Sequence, residues 1–415
     1  MQVTDVIVIG AGQAGLAASR CLGHRGIDHV VLERGHVADR WHNERWSSLR
    51  LLTPNWMTRL PGHAYDGDDP NGFMRRDEVA AFLERYARVS NAPVVTDAPV
   101  RAVTPSGDGF LVESGAGAFR ARAVIVATGA CDVPNRPDWS ARIATRIEQI
   151  TTRDYRHPDQ IASGGVLVVG ASATGLQLAE ELRLAGHDVT ISVGRHAPTP
   201  RRWRGRDVME WLDASGILSE PRPHTLDEKR ALEQPSLQLV GSTTGRDISL
   251  DSLVRMNVLP VSRVIGGEDG RVSLSGDLSE QIARADRRRA DLLARIDDWI
   301  SRSGTEAPRD ERPRPPRFVA GTKGSLDLDA AGIRTVVWAT GFRRSYPWLK
   351  LPVLDAAGEL RHSGGVTSVP GLYALGLPFM RRRNSTFIDG VGADAQDIVT
   401  QVVWHLGAEA MPKVA

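Results

Sequence analysis

Two cysteines in 415 residues, Cys21 and Cys131, form no CxxC pair for dithiol chemistry or metal binding, and so few thiols suit a reducing, cytoplasmic setting. No apolar stretch approaches the ~18 residues that a bilayer requires. A strand-like run begins so close to Met1 that no signal peptide is expected. Charge of neither sign dominates: 52 basic against 50 acidic residues leave +2, which removes nucleic acid as an expected partner. The basic runs "RRWRGR" (Arg201–Arg206) and "RRR" (Arg381–Arg383) are local exceptions. There is no HExxH and no convincing nucleophile–base pair, so neither a metal centre nor a side-chain nucleophile is expected. What remains is a soluble globular composition, 41% hydrophobic and 25% charged, long enough for two or three domains.

Glycine is plentiful, and it is placed. "VIVIGAGQAG" (Val6–Gly15) closes an apolar, β-branched run that reads as a strand of a parallel sheet, and Gly12–Gly23 follows as a helix. Gly10 permits a tight turn, Gly12 lets the backbone approach a pyrophosphate, and Gly15 lets helix and strand pack closely. The helix N-terminus offers free N–H groups and a positive dipole end to the phosphates. Glu33 ends the next strand, where a carboxylate can accept hydrogen bonds from a ribose diol. This unit is expected to bind a dinucleotide.

"VLVVGASATG" (Val166–Gly175) repeats the unit with Gly170 and Gly175 kept and Ser172 in the middle position. Ser172 is small, and its hydroxyl can donate to a phosphate; Thr174 belongs to the same turn. The following strand, "VTISVGRH", ends on Arg195 rather than on an acid. A carboxylate repels a 2′-phosphate whereas arginine pairs with it through a charged fork, so NADP is expected over NAD. His196 could assist or be incidental. Two turns this far apart suit two nucleotide-binding domains rather than a solenoid. The fold class is therefore α/β with two Rossmann-like dinucleotide-binding domains. The NADP domain (161–335) is inserted into an FAD domain made of residues 1–160 and 336–415. Leu278–Arg302 reads as a solvated helix packed on one side, Gly392–Leu406 as a C-terminal helix, and "EAPRDERPRPPR" (Glu306–Arg317) as an exposed loop.

The ordered set "GAGQAG" with Glu33, "ATG" (Ala127–Gly129), "GASATG" with Arg195, "ATGF" (Ala339–Phe342) and "GLYALG" (Gly371–Gly376) resembles the two-dinucleotide-domain flavoproteins. More narrowly, "RWHNERWSSLRLLTPNW" (Arg40–Trp56) is similar to a segment of the class B flavin monooxygenase superfamily, including its YUCCA-like members. The resemblance spans nearly the whole chain. It implies that Gly10, Gly12, Gly15, Glu33, Arg34 and Arg40 hold FAD, with Trp41, Leu52 and Thr53 along the flavin and Val100 at the adenine. Thr128 and Gly129 would stand at the crossover between domains, and Thr340 and Gly341 at the return. The C-terminal helix would aim its N-terminus at the flavin pyrimidine. Asp389, Asn384 and Ser385 are further candidates for flavin or substrate contact, and Arg381–Arg383 for the mouth of the active site.

The implied activity is an NADPH- and O2-dependent monooxygenase that oxygenates a small organic substrate through a C4a-(hydro)peroxyflavin. N-, S- and C-oxygenation and a Baeyer–Villiger step all stay open. A reductase or oxidase passing electrons to an external acceptor would need the same two sites, and a non-catalytic redox-responsive flavoprotein is the third reading. A disulfide reductase is nearly excluded by the cysteines. Two departures stand out. Thr145, Ile147 and Thr151 occupy the positions of Phe, Gly and His in the superfamily's linker motif, although Tyr155 is kept, and Leu377 stands where many related reductases carry an acid.

Overall fold

The computed structural model describes residues 1–222, 237–242, 244–309 and 324–410. The first part of the chain runs through β1 (Gln2–Ile9), α1 (Gln13–His24), β2 (His29–Leu32), α2 (Asp39–Asn43), α3 (Arg76–Val89), β3 (Val94–Val95), β4 (Val100–Ser106), β5 (Gly109–Ser114) and β6 (Gly117–Val126). Val6–Ile9 of β1 are at most 5% exposed, so the strand needs partners on both edges. It has β2 on one side and β6 on the other, both parallel. The sheet order is β3-β2-β1-β6-β5-β4. The first half of β6 pairs antiparallel with β5, and its second half is free to take a parallel partner from elsewhere.

The second sheet is built from β7 (Glu148–Thr151), β8 (Gly165–Val169), β9 (Val189–Val193), β10 (Leu259–Ser262) and β11 (Ile333–Trp338), in the order β7-β11-β8-β9-β10 and all parallel. Helices α4 (Ala173–Leu184), α5 (Val208–Ala214) and α6 (Leu278–Ser303) belong to the same stretch. β7 enters this sheet before the expected boundary at 161. Its sequence, Glu-Gln-Ile-Thr, has no apolar run to announce a strand, and only the pairing with β11 makes it one. After the second sheet, β12 (Leu372–Ala374) returns to pair parallel with the second half of β6, and α7 (Ile388–Ala410) packs on α1. The first sheet is thus completed by the far C-terminus. No helix among the described residues is long and apolar enough to cross a membrane.

Helix α6 buries Leu278, Ala285, Leu293, Ile296 and Ile300 on one face and leaves its charged face to solvent, as its spacing predicts. α7 begins at Ile388, ahead of the expected Gly392, and its first turn packs closely on Asn384: a Cβ on Gly390 would lie 2.1 Å from the Asn384 carbonyl oxygen. Residues 310–317 of the Pro- and charge-rich stretch lie outside the described residues.

The basic runs make internal pairs, and Arg201 alone among their arginines is buried. Arg201 is 1% exposed and stacks over Phe73 at 4.7 Å. It donates from Nε to Asp207 at 2.7 Å and from Nη1 to the Leu52 carbonyl at 2.7 Å. Arg206 lies over Trp211, and Arg204 pairs with Asp297. Arg381, Arg382 and Arg383 pair with Asp397, with Asp394 and Asp397, and with Glu220 respectively. Backbone bonds Arg222 N–H to Arg381 carbonyl and Arg383 N–H to Glu220 carbonyl stitch the run to the inserted part of the chain. Arg381–Arg383, candidates for the active-site mouth, are held by the protein's own carboxylates, of which Asp394 is fully buried.

Candidate dinucleotide-binding site

The cleft at the C-terminal ends of β1, β2 and β6 has a volume of about 800 Å³. That is where ligands bind in open parallel sheets. Nine of the expected residues meet on its wall: Gly10, Gly12, Glu33, Arg34, Arg40, Trp41, Val100, Thr128 and Gly129. Gly10 sits at φ +107°, in the left-handed region, and a Cβ on it would strike the Ala127 carbonyl oxygen at 2.7 Å. Gly15 lies behind the wall, where a Cβ would come within 1.8 Å of the Gly10 carbonyl oxygen. Gly12 differs from both. Its φ of −83° suits any residue, and a Cβ there would meet nothing within 4 Å. The fold itself does not require glycine at position 12, and the open space there would admit a group lying against the backbone, such as a dinucleotide pyrophosphate.

Glu33 is 9% exposed and does more than face the cleft. Oε2 accepts from the Ala11 N–H at 2.6 Å and Oε1 from the Gly35 N–H at 3.1 Å, so the carboxylate braces the glycine turn. At the other end of the cleft Gln13 donates to the Thr386 carbonyl at 3.3 Å, joining the start of α1 to the approach of α7.

Leu52 and Thr53 are not among the lining residues. Leu52 packs toward the cluster of Trp203, Trp211 and Leu293, and its carbonyl serves Arg201. Asp389 is likewise outside the lining: Arg59 donates to it at 2.5 Å, its side chain is 7% exposed, and burial raises its carboxyl above the usual range. That carboxylate is spent on an ion pair, and Thr386 stands nearer the cleft.

The second turn repeats the first in detail. Gly170 has φ +116° with a Cβ position 2.5 Å from the Ala339 carbonyl oxygen, and a Cβ on Gly175 would lie 1.8 Å from the Gly170 carbonyl oxygen. Ser172 takes φ −80° and ψ −175°, matching Gly12 at −83° and −172°. Thr174 is half-buried in the first turn of α4, and Arg195 is exposed two residues past β9. His196 is buried with Nδ1 bonded to the Gly194 carbonyl, so its ring serves the backbone, and burial lowers its pKa.

The two crossovers between the sheets run beside each other. Asn135 N–H donates to the Gly341 carbonyl at 2.8 Å, Thr340 donates to the Asn135 carbonyl, and Phe342 pairs antiparallel with Pro134. At the linker position Thr151 donates to Asp154 at 2.6 Å, while Tyr155 is fully buried and donates to Glu181 at 3.1 Å. Cys131 lines the cleft, and Cys21 lies in the core, where burial pushes its thiol up to about 11. Among the described residues no group of His, Cys, Asp and Glu could hold a metal ion. Arg45, Asp132, Arg153 and Trp348 also line the cleft and were not singled out in the sequence, since they converge from stretches with no common motif.

A family model described as pyridine nucleotide-disulphide oxidoreductase matches residues 7–214. The uncharacterized CzcO-like oxidoreductase of Geobacillus kaustophilus is 31% identical over 406 residues, covering 97% of this chain and 99% of its own length. The indole-3-pyruvate monooxygenase YUCCA1 of Oryza sativa subsp. japonica is 26% identical over 408 residues, covering 90% of this chain and 87% of its own. Among solved structures, a flavin-containing monooxygenase from Stenotrophomonas maltophilia has the same fold, with a TM-score of 0.67 at 21% identity over 98% of this chain and 100% of that one.

Proposed function

This chain belongs to the pyridine nucleotide-disulphide oxidoreductase family as a class B flavin-dependent monooxygenase-like oxidoreductase, and from that premise we propose that it uses NADPH and O2 to oxygenate a small organic substrate. The observation that carries the two-nucleotide part of the proposal is the duplicated glycine turn, one copy ending its unit on Glu33 and the other on Arg195, and the similarity to indole-3-pyruvate monooxygenases supports oxygenation over plain electron transfer. When bound, FAD supplies the redox chemistry between a nicotinamide and oxygen. The chain's own part is to bind, orient and keep water out.

In the first unit Gly10 and Gly12 let the backbone approach the diphosphate, with Gly15 seating α1 and Glu33 holding the turn and the ribose. Arg34, Arg40, Val100, Thr128 and Gly129 complete the wall, and Trp41 offers an apolar face beside the ring system. The nicotinamide nucleotide unit, expected over 161–335, uses Gly170, Ser172, Thr174 and Gly175 for the diphosphate and Arg195 for the 2′-phosphate. Thr340 and Gly341 anchor the return crossing. A cytoplasmic location fits the scarcity of cysteine.

The test starts with anaerobic reduction of the purified yellow protein by NADPH. Oxygen is then admitted while absorbance is followed, and product and peroxide are assayed with candidate substrates. A long-lived band distinct from oxidised and reduced flavin, with oxygen incorporated into product, is expected. Immediate reoxidation with stoichiometric peroxide and no product would make the protein an oxidase or reductase. Arg195→Ala is expected to lower kcat/KM for NADPH about tenfold and to leave NADH nearly unchanged, since one charged pair is lost. If the NADPH/NADH ratio does not move, Arg195 does not bind the 2′-phosphate.

A further inference from the structure

One part of the cleft wall carries three guanidiniums from three stretches of chain: Arg34 just past β2, Arg40 in α2, and Arg153 in the linker after β7. Like charges gathered this closely repel unless carboxylates intervene. Asp132 is one: Oδ1 accepts from Arg40 at 2.8 Å and Arg34 at 3.4 Å, and its backbone carbonyl accepts from Arg153 at 3.2 Å. Glu44, just past α2, is the other, and it works from behind the wall. It is not part of the lining, its side chain is 7% exposed, and Oε1 is shared by Arg34 at 2.8 Å and Arg153 at 3.2 Å. Its Oε2 lies 3.6 Å from Arg40 Nη1, and neither of those two atoms makes a hydrogen bond. Three positive charges thus stand against two negative ones, with the buried carboxylate set back from the cleft and the arginines in front.

We propose that Glu44 organises an anion clamp, aiming Arg34, Arg40 and Arg153 together at the phosphate-bearing part of the bound dinucleotide. Guanidiniums take phosphate oxygens through forked, charge-assisted hydrogen bonds, and a fork works only when it is aimed. Glu44 does not touch the cleft and is a positioning residue. Arg153 enters from the loop between β7 and β8, so the part of the chain that carries the second sheet contributes to the flavin site. The clamp rests on the flavin reading above.

The experiment is FAD binding by the deflavinated protein, followed by quenching of flavin fluorescence at several salt concentrations, with the unfolding of each variant measured alongside. Arg153→Met is expected to weaken binding about tenfold and to flatten its salt dependence. Arg153→Lys restores part of the loss, since a point charge replaces the fork. Glu44→Gln decides by its sign. Charge alone makes the wall more positive and FAD tighter, whereas loss of aim makes FAD weaker, and weaker binding is expected. The Glu44→Gln, Arg153→Met pair then loses less than the two single changes together, because both break one contact. Should Glu44→Gln fail to fold, the half-exposed Arg153 variants still decide. Tighter or unchanged binding in Glu44→Gln, additive losses, or full affinity in Arg153→Met overturns the clamp. Failure of the wild-type protein to take up FAD overturns the flavin reading and the clamp with it.

Discussion

At Gly12 an added Cβ would face open space, and at Gly15 it would collide with the Gly10 carbonyl oxygen at 1.8 Å. The two glycines of one motif therefore answer to different partners, a ligand and the fold. Gly15→Ala is expected to destabilise the protein by about 2 kcal/mol or more through overpacking. Gly12→Ala should leave the unfolding temperature unchanged while FAD affinity falls at least several-fold; equal losses of stability in both would refute the distinction. His196 is one of three histidines, with His29 and His63, whose burial makes stability depend on pH. Burial lowers its folded-state pKa below 6.5, so the unfolded chain takes up a proton first as pH falls. The contribution of His196 is intact above about pH 6.5 and declines toward the depressed folded value. His196→Asn should lose less thermal stability than wild type between about pH 7.5 and about pH 5.5, and an equal loss would show that another group governs that window.

The helix starts α1 and α4 are the elements on which the two nucleotide sites depend. Ser172 holds the same backbone angles as Gly12 and makes no capping bond of its own to α4, so its hydroxyl contributes nothing to the helix. Ser172→Gly should be neutral for stability to within about 1 kcal/mol. If the hydroxyl donates to a phosphate, NADP+ affinity measured by equilibrium titration drops a few-fold; tighter binding would mean that Ser172 only obstructs. Much of this was legible in the strand–turn–helix pattern, because the first and last glycines of each motif follow an apolar run and open a helical one. β7 was not legible, since a short polar strand gains its identity from a neighbour distant in sequence.

Across the whole molecule the inserted part is tied to the first sheet's part by buried polar bonds rather than by apolar contact alone. Arg201, itself fully buried, joins the partly buried Asp207, the Leu52 carbonyl and the Phe73 ring. Breaking a buried pair leaves an uncompensated carboxylate, and Arg201→Met is expected to cost about 3 kcal/mol. Calorimetry is expected to show one thermal transition for the wild type and two for the variant. One sharp transition at an unchanged temperature would show that Arg201 does not join the two parts.

By itself the sequence determined both glycine turns, the acid after one and the arginine after the other, and the order of the strands around them. Those features are written in local residue types, and the distant Ala127 and Ala339 carbonyls only reinforce the need for glycine at 10 and 170. Only the tertiary structure decided that Glu33 braces the turn it follows, that Leu52, Thr53 and Asp389 are not among the residues lining the cleft, and that Arg153 lines it with Glu44 behind. Those outcomes depend on which chain segments meet and which charges are neutralised when they do. An arginine looks the same in sequence whether it waits for a phosphate or is spent on a neighbouring carboxylate.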